Sequence, residues 1–151
     1  MTWAEVDLEA GIWTIPSPRM KAGKEHRMPL TDGAIALLGD QRSVETLVFE
    51  SEARPGKAIS DMTMTALLRR MERDDITVHG FRSTFRDWAG ETTGFPREGI
   101  EAAMVHGIKD KAESAYARSD LFDKRRELME AWSMGERRVQ GGSNVVHWSK
   151  G

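Results

Sequence analysis

The period of apolar positions changes along the chain. Trp3 to Leu8 alternates weakly, which predicts a strand or a strand's end, and Gly11 follows as a turn residue. Ile12-Trp-Thr-Ile15 predicts a short strand from its β-branched and aromatic content, and Arg27-Met-Pro-Leu30 a partner strand. Pro29 has no backbone N–H to give a ladder, so it marks an edge strand or a strand's end. Between the two runs, Pro16 to His26 is rich in Pro, Ser, Gly and Lys. The whole predicts a β-hairpin with a long, basic connection. Thr31 or Asp32 then caps a short helix, Gly33 to Leu38, that stops at Gly39. Thr46 to Phe49 predicts a short strand entering a loop, Ser51 to Ile59, built around Arg54-Pro-Gly-Lys57.

From Ser60 the period becomes helical. Met64, Leu67, Leu68 and Met71 recur at i, i+3, i+4 and i+7 behind a Ser60 cap. Thr77 caps a second helix whose apolar face is Phe81, Phe85 and Trp88 or Ala89. After a Gly- and Thr-rich loop, Gly90 to Pro96, Glu98 to Val105 predicts a short helix with Ile100, Ala103 and Met104 inward, closed at His106-Gly107. Ala112 to Ala117 is another short helical piece. Ser119 caps the last helix, with Leu121, Phe122, Leu128, Met129 and Trp132 on its apolar face. The sum is an α+β chain, mostly helical, with one small antiparallel sheet: a domain over 1–134 and a flexible tail over 135–151. No internal repeat is visible.

Composition narrows the class. The 151 residues suit one domain or a piece of a larger one, and 39% hydrophobic residues can supply a core. No cysteine is present, which excludes a disulfide and any thiolate metal site and permits a reducing compartment. No apolar run approaches the roughly 18–20 residues of a membrane span. The amino end lacks the basic-then-apolar pattern of a secretory signal, so the cytoplasm is the default. A net charge of −2 argues against a generic nucleic-acid coat protein. Local clusters matter more: Arg19, Lys21, Lys24, His26 and Arg27 are crowded together, and Lys124, Arg125 and Arg126 stand among acids.

The candidate chemistry gathers on the Thr77-capped helix. His79 and Arg82 are three apart, so they share a helical face, and the pair suits an anion, above all a phosphate. The same pair also suits an ordinary, partly exposed first turn. His106 lies further along, and Tyr116 is the chain's single tyrosine. No spacing fits a metal site, and there is no glycine-rich phosphate loop.

Taken together, several pieces resemble the catalytic domain of tyrosine recombinases, in particular phage-type and genomic-island integrases. They are Trp13-Thr-Ile-Pro16, Met20-Lys21 followed by His26-Arg-Met-Pro-Leu30, His79-Gly-Phe-Arg82-Ser-Thr-Phe-Arg86, Val105-His106-Gly107, Ala115-Tyr116-Ala-Arg-Ser-Asp120 and Arg125-Arg-Glu-Leu-Met-Glu-Ala-Trp132. The resemblance runs from Trp3 to about Trp132 and implies the helical DNA breaking-rejoining fold. It also implies a mechanism for site-specific DNA integration. A tyrosine attacks the scissile phosphate, forms a 3′-phosphotyrosyl link and frees a 5′-hydroxyl; a second 5′-hydroxyl then attacks the link. The covalent intermediate keeps the bond energy, so no cofactor is needed.

By this resemblance Tyr116 is the nucleophile. A free phenol has a pKa of about 10, so only about one part in a thousand is ionised at neutral pH, and it needs a base or positive charge beside it. Arg82 matches the second of two family arginines, His79 the general acid/base and His106 a donor to a phosphate oxygen. Lys21 matches the hairpin lysine that protonates the leaving 5′-oxygen, with Lys24 as its competitor. Arg86 either touches DNA backbone or pairs with Asp87 or Glu91. Arg118 and Lys124 to Arg126 are expected to be solvated charge. His26 and His147 receive no chemistry. The implied partners are double-stranded attachment-site DNA and other integrase protomers, in a tetramer that often trades a carboxy-terminal segment. The Leu121–Trp132 helix is the candidate for that docking.

The chain departs from the pattern in one respect. The family's first arginine lies just upstream of a segment like Thr2 to Asp7, and no arginine precedes Arg19 here. The expectation is an amino-terminally truncated catalytic domain, without the DNA-clamping domain and inactive alone. The alternative is a non-catalytic DNA-binding or protein-interaction remnant. A type IB topoisomerase shares the chemistry, but the Arg125 to Trp132 ending and the His79-Gly-Phe-Arg82 context favour a recombinase.

Overall fold

The computed structural model describes residues 1–105 and 121–141, with side chains through residue 135. Chain entry is a single 3-10 turn, Trp3–Glu5, leading into β1 (Val6–Asp7). β2 (Ile12–Ile15) and β3 (His26–Pro29) complete an antiparallel sheet of order β1-β2-β3. Val6 pairs with Trp13, Ile12 with Pro29 and Ile15 with His26. The expected hairpin is present, with Pro29 ending an edge strand. Gly11 makes the β1–β2 turn in the left-handed region (φ 63°), and a Cβ there would stand 3.2 Å from the Leu30 carbonyl oxygen.

Glu5 knots the start of this sheet. Its Oε2 accepts from the Trp13 indole N–H (3.1 Å), the Thr2 amide (3.3 Å) and Arg19 Nη2 (2.6 Å). Arg19, counted in the basic cluster, is therefore neutralised. Burial pushes the Glu5 carboxyl up, but the Trp13 and Thr2 donors and the Arg19 charge outweigh it and hold the group below its usual range. A carboxyl depressed in the folded state adds stability above its unfolded pKa and loses it as pH falls through the folded value. Glu5→Gln is expected to cost about 1–2 kcal/mol at pH 7, with the gap to the parent closing below about pH 4. Thermal melts from pH 3 to 7 check this; a gap that stays constant rejects it.

α1 (Asp32–Leu38) starts where its sequence signals place it. Thr31 Oγ1 accepts from the Ala34 amide at 3.2 Å, and Gly39 forms the C-cap. The next stretch differs from expectation. Residues 44–48 are not a strand of their own: they run along the amino terminus, with Trp3 N donating to Thr46 O (3.1 Å), Ala4 N to Val44 O (2.9 Å) and Val48 N to Met1 O (3.2 Å). The expected loop over 51–59 is instead a ribbon, β4 (Glu50–Ser51) paired antiparallel with β5 (Arg54–Ala58). A two-stranded ribbon leaves the outer side of each strand open, so Pro55 is tolerated there. The chain thus has two small sheets among its described residues, not one.

α2 (Thr63–Arg70) begins later than its Ser60 signal; Ser60 Oγ accepts from the Met62 amide at 3.2 Å. Its apolar stripe is amphipathic but uncovered among the described residues, with Met71 60% exposed. α3 (Val78–Thr92) is capped by Thr77, whose Oγ1 accepts from Gly80 N at 3.0 Å. α4 (Arg97–Ala103) and α5 (Phe122–Gly141) complete the helices. These three meet in the core. Ala89, Ile100, Ala103 and Leu128 are buried together, with Phe85, Trp88 and Phe95 packed around them. The Trp132 ring meets Phe85 edge-on at 5.5 Å and Trp88 at 4.9 Å. Phe81, expected inward, is 57% exposed; Ala89 takes the central place on α3. The expected helical piece at 112–117 and the Ser119 cap lie outside the described residues.

Candidate active site

α3 supplies two of the five residues assigned chemistry. His79 projects from its first turn and is exposed, while Arg82, one turn on, is half-buried. Arg82 Nη2 donates to the Met104 carbonyl, just past the end of α4. The physical reason is general: the last carbonyls of a helix lack intrahelical partners, and a cation there also meets the negative end of the helix dipole. Among the described residues this is the one hydrogen-bond partner of Arg82, and the rest of its fork has none there.

The bond fixes an unusual turn. Val105 leaves α4 in the left-handed region (φ 57°), which a β-branched residue adopts only at a cost of about 1–2 kcal/mol. Its amide donates to Ala102 O at 3.1 Å. α4 therefore ends at Ala103, before the expected closure at His106-Gly107. Arg82 thus holds the residue two positions before His106. His106 itself, Tyr116 and Arg118 lie outside the described residues.

Lys21 and Lys24 are both exposed in the β2–β3 connection. A 3-10 turn, Ser17–Arg19, opens that connection, and Gly23 N donates to Met20 O at 2.9 Å, folding the backbone around Lys21. Lys21 makes no hydrogen bond or ion pair with a described residue. The structure thus joins Arg82 to His79 on one helix and to the turn before His106, and leaves Lys21 on the hairpin.

Two charges differ from expectation. Arg86 pairs with neither Asp87 nor Glu91: its Nε and Nη2 both reach Glu101 Oε1 on α4 at 3.2 Å. Arg125, expected to be solvated, is fully buried on α5. Its Nη1 donates to the Arg27 carbonyl at 2.6 Å and meets His26 Nε2 at 3.2 Å. A guanidinium only donates, so in this contact His26, assigned no chemistry from sequence, can serve only as the acceptor; the same Nε2 also lies 3.2 Å from Met28 Sδ. The guanidiniums of Arg27, Arg126 and Arg125 also surround the Phe122 ring at 4.7, 5.0 and 5.6 Å. Helical phase could have flagged Arg125. It stands at i−3 from Leu128 and i−7 from Trp132, on the helix's apolar side.

The Leu121–Trp132 helix, offered as a segment for exchange between protomers, packs through Leu128 and Trp132 on the chain's own α3 and α4. Among the described residues, no helix is long and apolar enough to cross a membrane.

Residues 1–121 match the model of the phage integrase family. Prophage integrase IntA of Escherichia coli (strain K12) is 36% identical over 98% of the chain, which is 37% of IntA. The integrase of Enterobacteria phage P4 is 29% identical over 87% of the chain and 34% of its own length. For the integrase of Shigella phage Sf6 the values are 30%, 88% and 36%. The chain therefore spans about a third of the length of these relatives. No solved structure matches it. With a family match over most of its residues and a largely helical fold carrying two small antiparallel sheets, the chain belongs to the phage integrase family.

Proposed function

We propose that this chain is the strand-cleaving part of a tyrosine recombinase that joins mobile DNA to a specific site. Tyr116 Oη attacks the scissile phosphorus while the bond from phosphorus to the 5′-oxygen breaks. The phenol proton passes to His79, and Lys21 gives a proton to the leaving 5′-oxygen. The open arms of Arg82 and the His106 imidazole take the charge that builds on the non-bridging oxygens. Rejoining reverses each step with a 5′-hydroxyl from the second duplex, so every bond broken is matched by one formed and no cofactor enters. Attachment-site duplexes and further protomers, four in the synaptic assembly, are the partners this chemistry calls for.

The observation that carries the reading is the placement of Arg82. One arm is held by the Met104 carbonyl, His79 stands one turn before it, and the chain continues directly to His106. The test uses this chain in place of the matching segment of IntA, alongside the 151-residue chain by itself. Each is mixed with nicked attachment-site DNA whose short leaving strand diffuses away. The graft should form a covalent protein–DNA adduct, and peptide mapping should place the nucleotide on Tyr116. The 151-residue chain by itself, about a third of the length of these relatives, is the comparison and should form less adduct than the graft. No adduct from the graft, or a linkage at another residue, sinks the proposal; DNA retention without linkage would point to a non-catalytic binding role.

A further inference from the structure

We infer that Arg125 is a positioning residue for strand cleavage, locking the strand that follows Lys21 onto the helical core that carries Arg82. The inference rests on the reading proposed above, in which Lys21 protonates the leaving oxygen. Arg125 is fully buried, and taking a guanidinium out of water carries a large desolvation cost that an apolar residue of similar volume would avoid. What an apolar residue would not provide is direction. Nη1 meets two acceptors from adjacent residues, the Arg27 carbonyl at 2.6 Å and His26 Nε2 at 3.2 Å. Both lie on β3, which among the described residues is an edge strand of its sheet.

The other end of the link is as well fixed. One turn beyond Arg125, Leu128 is fully buried against Ala89 of α3 and Ile100 and Ala103 of α4. Trp132 closes on Phe85 and Trp88 of α3, the helix that carries His79 and Arg82. Arg126 grips the opposite end of the hairpin, its Nη2 donating to the Ala10 carbonyl at 2.9 Å. Two successive arginines of α5 thus hold both ends of the sheet to one helix. Lys21 lies five residues before His26, so the anchoring of β3 limits where its ammonium can reach. A misplacement of about 1 Å in a reacting group can cost on the order of 10²-fold in rate.

The test separates a positioned proton donor from mere folding. It uses the graft on two nicked substrates, one with the ordinary 5′-oxygen at the scissile phosphate and one with sulfur bridging there. A thiolate, whose acid has a pKa of about 8.5, leaves without a proton, so the sulfur substrate does not need Lys21. Arg125→Lys keeps the charge but loses the fork. It should slow adduct formation about 10–100-fold on oxygen and leave the sulfur substrate near the parent rate. Lys21→Ala should show the same pattern, and the Lys21→Ala, Arg125→Lys double variant should be no slower than Lys21→Ala alone. His26→Ala, which leaves Arg125 in place, should give a smaller slowing that is again confined to oxygen, and it serves if the Arg125 variant folds poorly. Equal slowing on both substrates in both variants, or no slowing in either, overturns the inference while leaving the recombinase reading intact. If Lys21→Ala is not rescued by sulfur, Lys21 is not the proton donor and this inference falls while the recombinase reading stands; if the unsubstituted graft links to neither substrate, the recombinase reading falls and takes this inference with it.

Discussion

Arg82→Ala in the IntA graft is expected to slow formation of the covalent DNA adduct by about 10²–10³-fold while lowering folding stability by only about 1 kcal/mol. The two numbers have different origins. Among the described residues Arg82 makes one hydrogen bond, from Nη2 to the Met104 carbonyl, and losing it leaves a helix-end carbonyl without that donor. In the transition state the open part of the fork would meet non-bridging oxygens whose charge is growing, where a preorganised donor has its greatest effect. Arg82→Lys keeps the charge but cannot hold the Met104 carbonyl and a phosphate together, so it should recover only a part of the rate, about tenfold or less. Single-turnover adduct formation, with thermal melts of the same samples, checks this. A rate loss below about fivefold, or one that tracks the melting temperature alone, would show Arg82 to be a structural tie and no more.

Features fixed by nearby residues were legible in the sequence. The β2–β3 hairpin, the Thr31 and Thr77 caps and the Gly39 stop depend on backbone and side-chain choices within a few positions. The shared face of His79 and Arg82 follows from their spacing of three. Features fixed by distant partners were not legible. Pro55 and Gly56 signal a loop, yet a free-edged ribbon accommodates both. The stripe on α2 promised burial that its period alone cannot deliver, and Phe81 gives up the core to Ala89. Arg86 chose Glu101 on the next helix over its own neighbours. Arg125 looked like one more charge in Lys124-Arg-Arg126 because its acceptors stand on β3, nearly a hundred residues earlier in the chain. The outcome at these positions was set by which surfaces meet, a quantity that propensity and period do not contain.

Leu128→Ala is expected to destabilise the 151-residue chain by about 3–5 kcal/mol, against about 1 kcal/mol or less for Leu67→Ala on α2. Both are leucines at apolar positions of helices, so side-chain chemistry cannot separate them. Leu128 is fully buried where α3, α4 and α5 meet, whereas Leu67 is 40% exposed. Truncating Leu128 removes its transfer free energy and leaves a cavity that the Phe85, Trp88 and Trp132 rings, already in contact with one another, cannot easily refill. A domain is stable by only about 5–15 kcal/mol, so the loss should move a urea midpoint far enough to measure directly. Equal losses for the two leucines would mean that α5 does not sit on α3 and α4 as described. The same variant probes the sheet. Arg125 reaches β3 only while Leu128 keeps α5 seated, so loosening that contact should also speed hydrogen exchange at the Ile12–Ile15 amides, on the far side of the hairpin from the cavity. Exchange that rises in the helices but not in β2 would show that the sheet holds its place without the Arg125 link.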